Sequence, residues 1–298
     1  MTTVNPEERT HTTFVMLRSR LHFLWYLTRR SPLTVIGFLI ILLVIIMVIG
    51  APFIAPYDPN KVMLSSRLLP PSSIHWFGTD EVGRDLFSRV VYGSRASCGA
   101  AFMIVFISMS AGVFLGCLSG VVGGVFDSAM MRTMDVVLAL PALVLAMALA
   151  AALGPSLFNS MLAVAIVRIP AYVRLSRGQT LSLRERIFVK ASRTFGASNL
   201  YILRWHLLPN ALSPLIVQAT LDLGGIVLIA AALSFIGLGA QPPTAEWGAL
   251  VSSGRSFILD QWWYGTFPGL AILVTAMGCN LLGDGIRDML DPRLGPNE

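Results

Sequence analysis

Charge is scarce in this sequence. Asp, Glu, Lys and Arg together make up 13 % of its 298 residues, about half the share usual in soluble domains and too little to coat a water-soluble globule. The high apolar content excludes disorder, which requires low hydrophobicity and high charge. Cysteine is scarce too. Cys98, Cys117 and Cys279 lie in apolar stretches without metal-type spacing, so they are read as packing residues rather than disulfides or ligands. The 26 glycines have no triplet period, which excludes a collagen-like chain. The only lysines are Lys61 and Lys190, and neither follows a Gly-rich turn. No GxxxxGK[ST], HExxH or GxSxG occurs, and the four histidines are scattered. The chain is therefore expected to be no enzyme, to hydrolyse no ATP itself and to bind no cofactor or metal.

What the sequence does contain is long apolar runs. Hydrophobic residues make up 55 % of it, with a mean hydropathy of +0.71. Six runs are each long enough to cross about 30 Å of hydrocarbon as a helix. They cover about Leu33–Ala55, Ser97–Val122, Met134–Leu153, Leu157–Val173, Leu212–Leu238 and Trp263–Leu282. None alternates as barrel strands do. The expected fold is all-α, a polytopic membrane protein of six transmembrane helices. Its net charge of +6 is read as membrane topology, not nucleic-acid affinity.

Arg and Lys set the orientation. Arg9, Arg18, Arg20, Arg29 and Arg30 precede the first span. Between the fourth and fifth, residues 174–210 carry seven bases and one acid, Glu185. In the opposite loop, 56–96, five bases face four acids. The positive-inside rule then puts both termini and 174–210 in the cytoplasm. Residues 1–31 form a basic tail, in which Arg18–Arg30 reads equally as an interfacial helix on anionic headgroups or as a topology signal alone. Residues 32–96 hold the first span, a retained anchor, and the outer loop; residues 97–298 hold the core.

Within the second span Ser108, Gly112, Gly116, Gly120 and Gly124 recur every fourth residue. One such face of small residues is expected to pack against another helix, since in lipid close backbone approach replaces the hydrophobic drive. Pro141 and the pair Gly224–Gly225 mark expected irregularities. Arg168 and Asp222 fall near mid-membrane, where a charge is costly and faces the bundle interior or water. Two readings stand: a self-neutralising ion pair, or a polar patch in a translocation path that meets a zwitterion.

Residues 182–210 read as helix–Gly–helix. Ser182-Leu183-Arg184-Glu185 has the form of a capping box, so a helix is expected to begin there. Ile187, Phe188, Ala191 and Phe195 recur at helical spacing, and Gly196 suits the C-terminal cap. Ser198 then caps a second helix, Asn199 to Leu208, that Pro209 is expected to close. Such an apolar face ringed by arginine wants a partner protein or the headgroup plane.

The run FVKASRTFGASNLYILRWHLLPN (188–210) resembles the cytoplasmic EAA loop of ABC-importer permeases. Ala191, Gly196, Leu208 and Pro209 match the motif, whereas Lys190 stands where the Glu is usual and Ser192 replaces the second Ala. HWFGTDEVGRDLFSRVVYGSR, LSFIGLGAQPPTAEWGALV and NLLGDGIRDMLDP extend the resemblance over nearly the whole chain. They are similar to the C-type permeases of dipeptide, oligopeptide and nickel importers. GCLSGVVGG, AAALGPSLFN, AIVRIPAYVRLSRGQ and LDQWWY look most like the D,D-dipeptide branch. The resemblance implies a type I importer permease in a bacterial inner membrane, paired with a second, similar permease. It also implies two cytoplasmic ATPase subunits that hold ATP and Mg, an external solute-binding protein, and peptide, specifically dipeptide, substrates. Phe188, Lys190, Ala191, Ser192, Gly196, Leu208 and Pro209 would then form the coupling loop to the ATPase. In GTDEVGRD, the residues Gly78, Asp80, Gly83 and Asp85 are read first as turn-formers. The competing class is a secondary transporter or channel working alone.

Overall fold

A computed structural model describes residues 32–290; the basic tail and the final residues of the NLLGDGIRDMLDP motif lie outside the described residues. The first helix, α1 (Pro32–Ile54), is apolar all round. It is followed by α2 (Leu86–Val122), α3 (Gly124–Ala139), α4 (Ala142–Leu153) and α5 (Leu157–Arg184). Then come a short α6 (Ile187–Thr194), a one-turn α7 (Asn199–Ile202) and a π-helical turn, Leu203–Leu207, that runs straight into α8 (Leu208–Phe235). A short α9 (Trp247–Gly254) and a long α10 (Trp262–Leu290) complete the described chain.

Five helical stretches are long and apolar enough to cross a bilayer, and the pair α3–α4, bent by 93°, makes up to six. The bend falls at Leu140–Pro141. Pro141 is the N-cap of α4, and Leu140 before it is extended, as the residue before a proline is pushed out of the helical region. The irregularity expected at Pro141 is therefore a break. At Gly224–Gly225 none occurs. Helix α8 continues through both, and Gly224 instead lets α8 approach α10, where a side chain would strike Ala276 and Asn280.

Close glycine contacts give the relative directions of the spans. Along α2, Gly112, Gly116 and Gly120 meet Tyr172, Ser176 and Thr180 of α5. Both series ascend, so α2 and α5 run parallel. Gly37 and Gly278 place α1 against α10 with opposed direction, Gly37 meeting Leu281 and Gly278 meeting Ile40. Two parallel spans must be separated by one further crossing, and α3–α4 is the only candidate between α2 and α5. The bent pair is thus one span.

The ridge meets its partner through more than van der Waals contact. With no Cβ in the way, the Ser176 hydroxyl reaches the Gly112 carbonyl at 3.0 Å, and the Arg184 guanidinium reaches the Gly120 carbonyl at 3.1 Å. Gly124 is not part of this face. Gly123 and Gly124 both adopt left-handed φ (69° and 59°), so α2 ends at Val122 and Gly124 opens α3. A four-residue repeat carries no record of that reversal.

The outer lobe is a packed loop. Asp85 caps α2 by accepting from the Ser88 amide and also holds His75 Nδ1 at 2.9 Å. Asp80, fully buried, accepts from the amides of Val82 and Arg84 and from Arg84 Nε. Gly78 and Gly83 take left-handed turns here, so the GTDEVGRD residues build the loop itself. Glu246 is buried as the cap of α9 and accepts from Ser97 of α2, while Trp247 Nε1 donates to the Val90 carbonyl. These bonds pin α9 into the bundle.

Candidate functional site

Beyond the end of α5 the chain turns sharply and makes a small element of its own. Helix α5 runs on through Arg184, and α6 begins at Ile187 with Arg186 in the cap position and no side-chain bond. Ser182 therefore lies inside a helix, and the expected start at Ser182–Glu185 is corrected. The local S-x-x-E pattern loses to the continuing hydrogen-bond ladder of α5. Glu185 pairs instead with Lys190 Nζ at 3.0 Å, which holds its carboxyl below the usual carboxylate range. A carboxylate thus faces the lysine that occupies the motif's usual Glu position.

Gly196 ends α6 with φ +83°, and the Ala197 amide returns to the Ser192 carbonyl, the left-handed cap that glycine adopts without penalty. Ser198 caps the next turn through the Tyr201 amide. Pro209 does not close that helix. Residues 199–235 run on as one helix because the π turn at Leu203–Leu207 widens the coil just before the proline. Widening relieves the clash with the preceding turn and accommodates the missing donor.

The element rests on a core of its own. Val189, Ile202 and Leu207 are buried together, with Leu183 and Leu203 packed against them. Val189 holds α6 down, a role the helical spacing of Ile187, Phe188, Ala191 and Phe195 did not reveal. That apolar series points outward: Ile187 is 87 % and Phe195 91 % exposed, and Phe188, Leu200, Tyr201 and Trp205 are exposed beside them. Ala191 is exposed as well, and Ser192 donates to or accepts from His206 Nε2 at 3.0 Å. Leu208 and Pro209 lie at the start of α8.

The intramembrane charges are in contact. The Arg168 guanidinium pairs with the Asp222 carboxylate, linking the middles of α5 and α8, and Gln218 donates to the same Asp222 oxygen at 3.0 Å. A second pair of ionic contacts joins α3 to α5: Asp127 receives a two-pronged contact from Arg177 at 2.5 and 2.6 Å, and Asp135 pairs with Arg174. Helix α3 buries only Met134, and these pairs tie it to α5. All four residues lie within the helices α3 and α5, and no sequence spacing marks them as partners.

Two families match the chain. Residues 112–296 match the binding-protein-dependent transport system inner membrane component, and residues 19–71 match the N-terminal transmembrane domain of oligopeptide transport permease C. The chain is 60 % identical over 270 residues, 91 % of each chain, to the probable D,D-dipeptide transport system permease protein of Escherichia coli (strain K12). It is 46 % identical to the di/tripeptide permease of Pseudomonas aeruginosa (strain UCBPP-PA14), covering 87 % of each chain. To the dipeptide permease of Haemophilus influenzae (strain ATCC 51907 / DSM 11121 / KW20 / Rd) it is 42 % identical, covering 91 % of this chain and 94 % of the relative. A six-crossing bundle with a docked outward-facing helix pair and this similarity lead to one conclusion: the chain belongs to the binding-protein-dependent inner membrane components and is a multi-pass permease subunit of an ABC transporter.

Proposed function

We propose that this permease forms half of the translocation path of an ATP-driven importer of peptides, with dipeptides, D,D-dipeptides among them, as its substrates. The names of its relatives support the substrate class. Both termini and residues 174–210 face the cytoplasm in this reading, in line with the arginine-rich composition of that segment. The other half of the path is a second, similar permease. Two ATPase subunits hold ATP and Mg, and a solute-binding protein delivers peptide from the opposite face.

The observation that carries the reading is the α6 element. Its exposed apolar side chains, Ile187, Phe188 and Phe195 among them, project from a buried anchor beyond the membrane-spanning helices. Exposed patches of that kind mark partner surfaces. The element also continues directly into two spans, α5 on one side and α8 on the other. Movement imposed on α6 by an ATPase would therefore reach both spans without an intervening flexible linker.

Affinity purification of the tagged chain from its native membrane in mild detergent tests this. An ATPase subunit should be retained by the unsubstituted chain and lost from Val189→Asp, which puts a charge into the anchor of α6. A chain that purifies alone and conducts substrate alone would contradict the reading.

A further inference from the structure

Arg168 and Asp222 neutralise each other, yet the cluster around them is incompletely bonded. Asp222 Oδ2 and Arg168 Nε are buried without partners. The Tyr172 hydroxyl, on a side chain with no exposed surface, lies against the Asp222 carboxylate, its nearest polar neighbour, without well-formed hydrogen-bond geometry. Buried polar atoms are almost always bonded, and here three such atoms belong to one cluster. Asp222 is 7 % exposed, whereas about a quarter of the Arg168 side chain, 26 %, is exposed. A guanidinium at mid-span does not face hydrocarbon; it faces a protein partner or a watery cavity. The exposed part of Arg168 therefore faces a partner subunit or the water-filled path. One turn along α8 from Asp222 stands Gly225, which is exposed and at which an added Cβ would meet nothing within 4 Å. Gln218, Asp222 and Gly225 share one helical stripe, so a polar cluster borders open space.

We propose that Arg168, Asp222 and Tyr172 form a binding site for the charged ends of a zwitterionic peptide, with the guanidinium taking the carboxylate and the Asp222 carboxylate taking the ammonium. This inference rests on the peptide reading above. In the unliganded path the two side chains satisfy one another, and substrate replaces each partner with a like charge. No bare charge is left in the low-dielectric interior at any stage, which is the condition for a tolerable intramembrane charge. The two residues sit on the two spans that leave the coupling element, so movement of α5 against α8 opens or closes the pair. Tyr172 supplies a donor to a carboxylate, and the open surface at Gly225 leaves room for the peptide's small side chains.

The test uses the whole importer, with both permeases, the ATPases and the binding protein, reconstituted in proteoliposomes with radiolabelled D-alanyl-D-alanine. The double variant Arg168→Gln with Asp222→Asn should assemble in normal yield, while uptake falls at least tenfold. Uptake within twofold of the unsubstituted complex would show a structural pair only and overturn the site. A second measurement leaves the pair intact. Gly225→Cys should react with a small cationic thiosulfonate reagent, above the background of the three native cysteines, and D-alanyl-D-alanine should slow that reaction at least fivefold. No reaction, or a rate indifferent to the dipeptide, would overturn the site even if the double variant failed to assemble. Failure of the unsubstituted complex to take up dipeptide would instead remove the peptide reading, and the site with it.

Discussion

At Gly116 the absence of a side chain sets the distance between two spans. An added Cβ would enter the space held by the Ser176 hydroxyl and the Val173 carbonyl of α5, and neither backbone can yield without breaking the neighbouring contacts at Gly112 and Gly120. Gly116→Leu should therefore cost about 1–3 kcal/mol or more, the range of overpacked interiors, and sharply lower the yield of assembled complex. Normal yield and an unchanged melting temperature in detergent would refute the close contact. Ser176→Ala removes the bond to the Gly112 carbonyl but fits the same space, so it should cost only about 0.5–1.5 kcal/mol. Single residues were legible where one spacing carried the information. The Gly112–Gly116–Gly120 repeat and the depth of Arg168 and Asp222 could be counted along the chain. The positive φ at Gly123, the burial of Glu246 and the anchor Val189 depend on atoms distant in sequence, and no local pattern records them.

Among the elements, the run from α6 to α8 makes the sharpest demands. Gly196 sits at φ +83° and its amide donates to the Arg193 carbonyl; proline would fix φ near −65° and remove that donor. Gly196→Pro should leave the spans inserted but abolish stimulation of ATP hydrolysis by loaded binding protein. Undiminished stimulation would show that the turn does not transmit force. Ala191→Glu separates docking from folding. Ala191 is exposed, so the chain's own stability should stay within about 0.5 kcal/mol, while ATPase retention in detergent weakens at least tenfold. Equal retention would place the docking face elsewhere. The sequence marked this element by its apolar spacing, Gly196 and Ser198. It misplaced both ends because Ser182 and Pro209 are local signals, and long helices packed on either side override them.

For the whole molecule, directions follow from contacts between spans. Parallel α2 and α5, with α3–α4 folded into one crossing between them, leave the loop before α2 and the α6 element on opposite faces of the membrane. Ser73→Cys and Ser198→Cys, both at exposed positions, should be labelled from opposite sides of sealed vesicles by an impermeant thiol reagent; labelling from one side would remove a crossing. Six apolar runs and the excess of arginine in 174–210 made this plan readable from sequence. The irregularity at Pro141 was readable as well; the α9 insertion was not, because it is fixed by partners such as Val90 and Ser97. The measurement closest to the central claim is uptake of radiolabelled D-alanyl-D-alanine by the reconstituted complex, with ATP and binding protein supplied or withheld. Accumulation that requires both is the predicted result. Accumulation by this chain alone, without ATP or binding protein, would contradict the account.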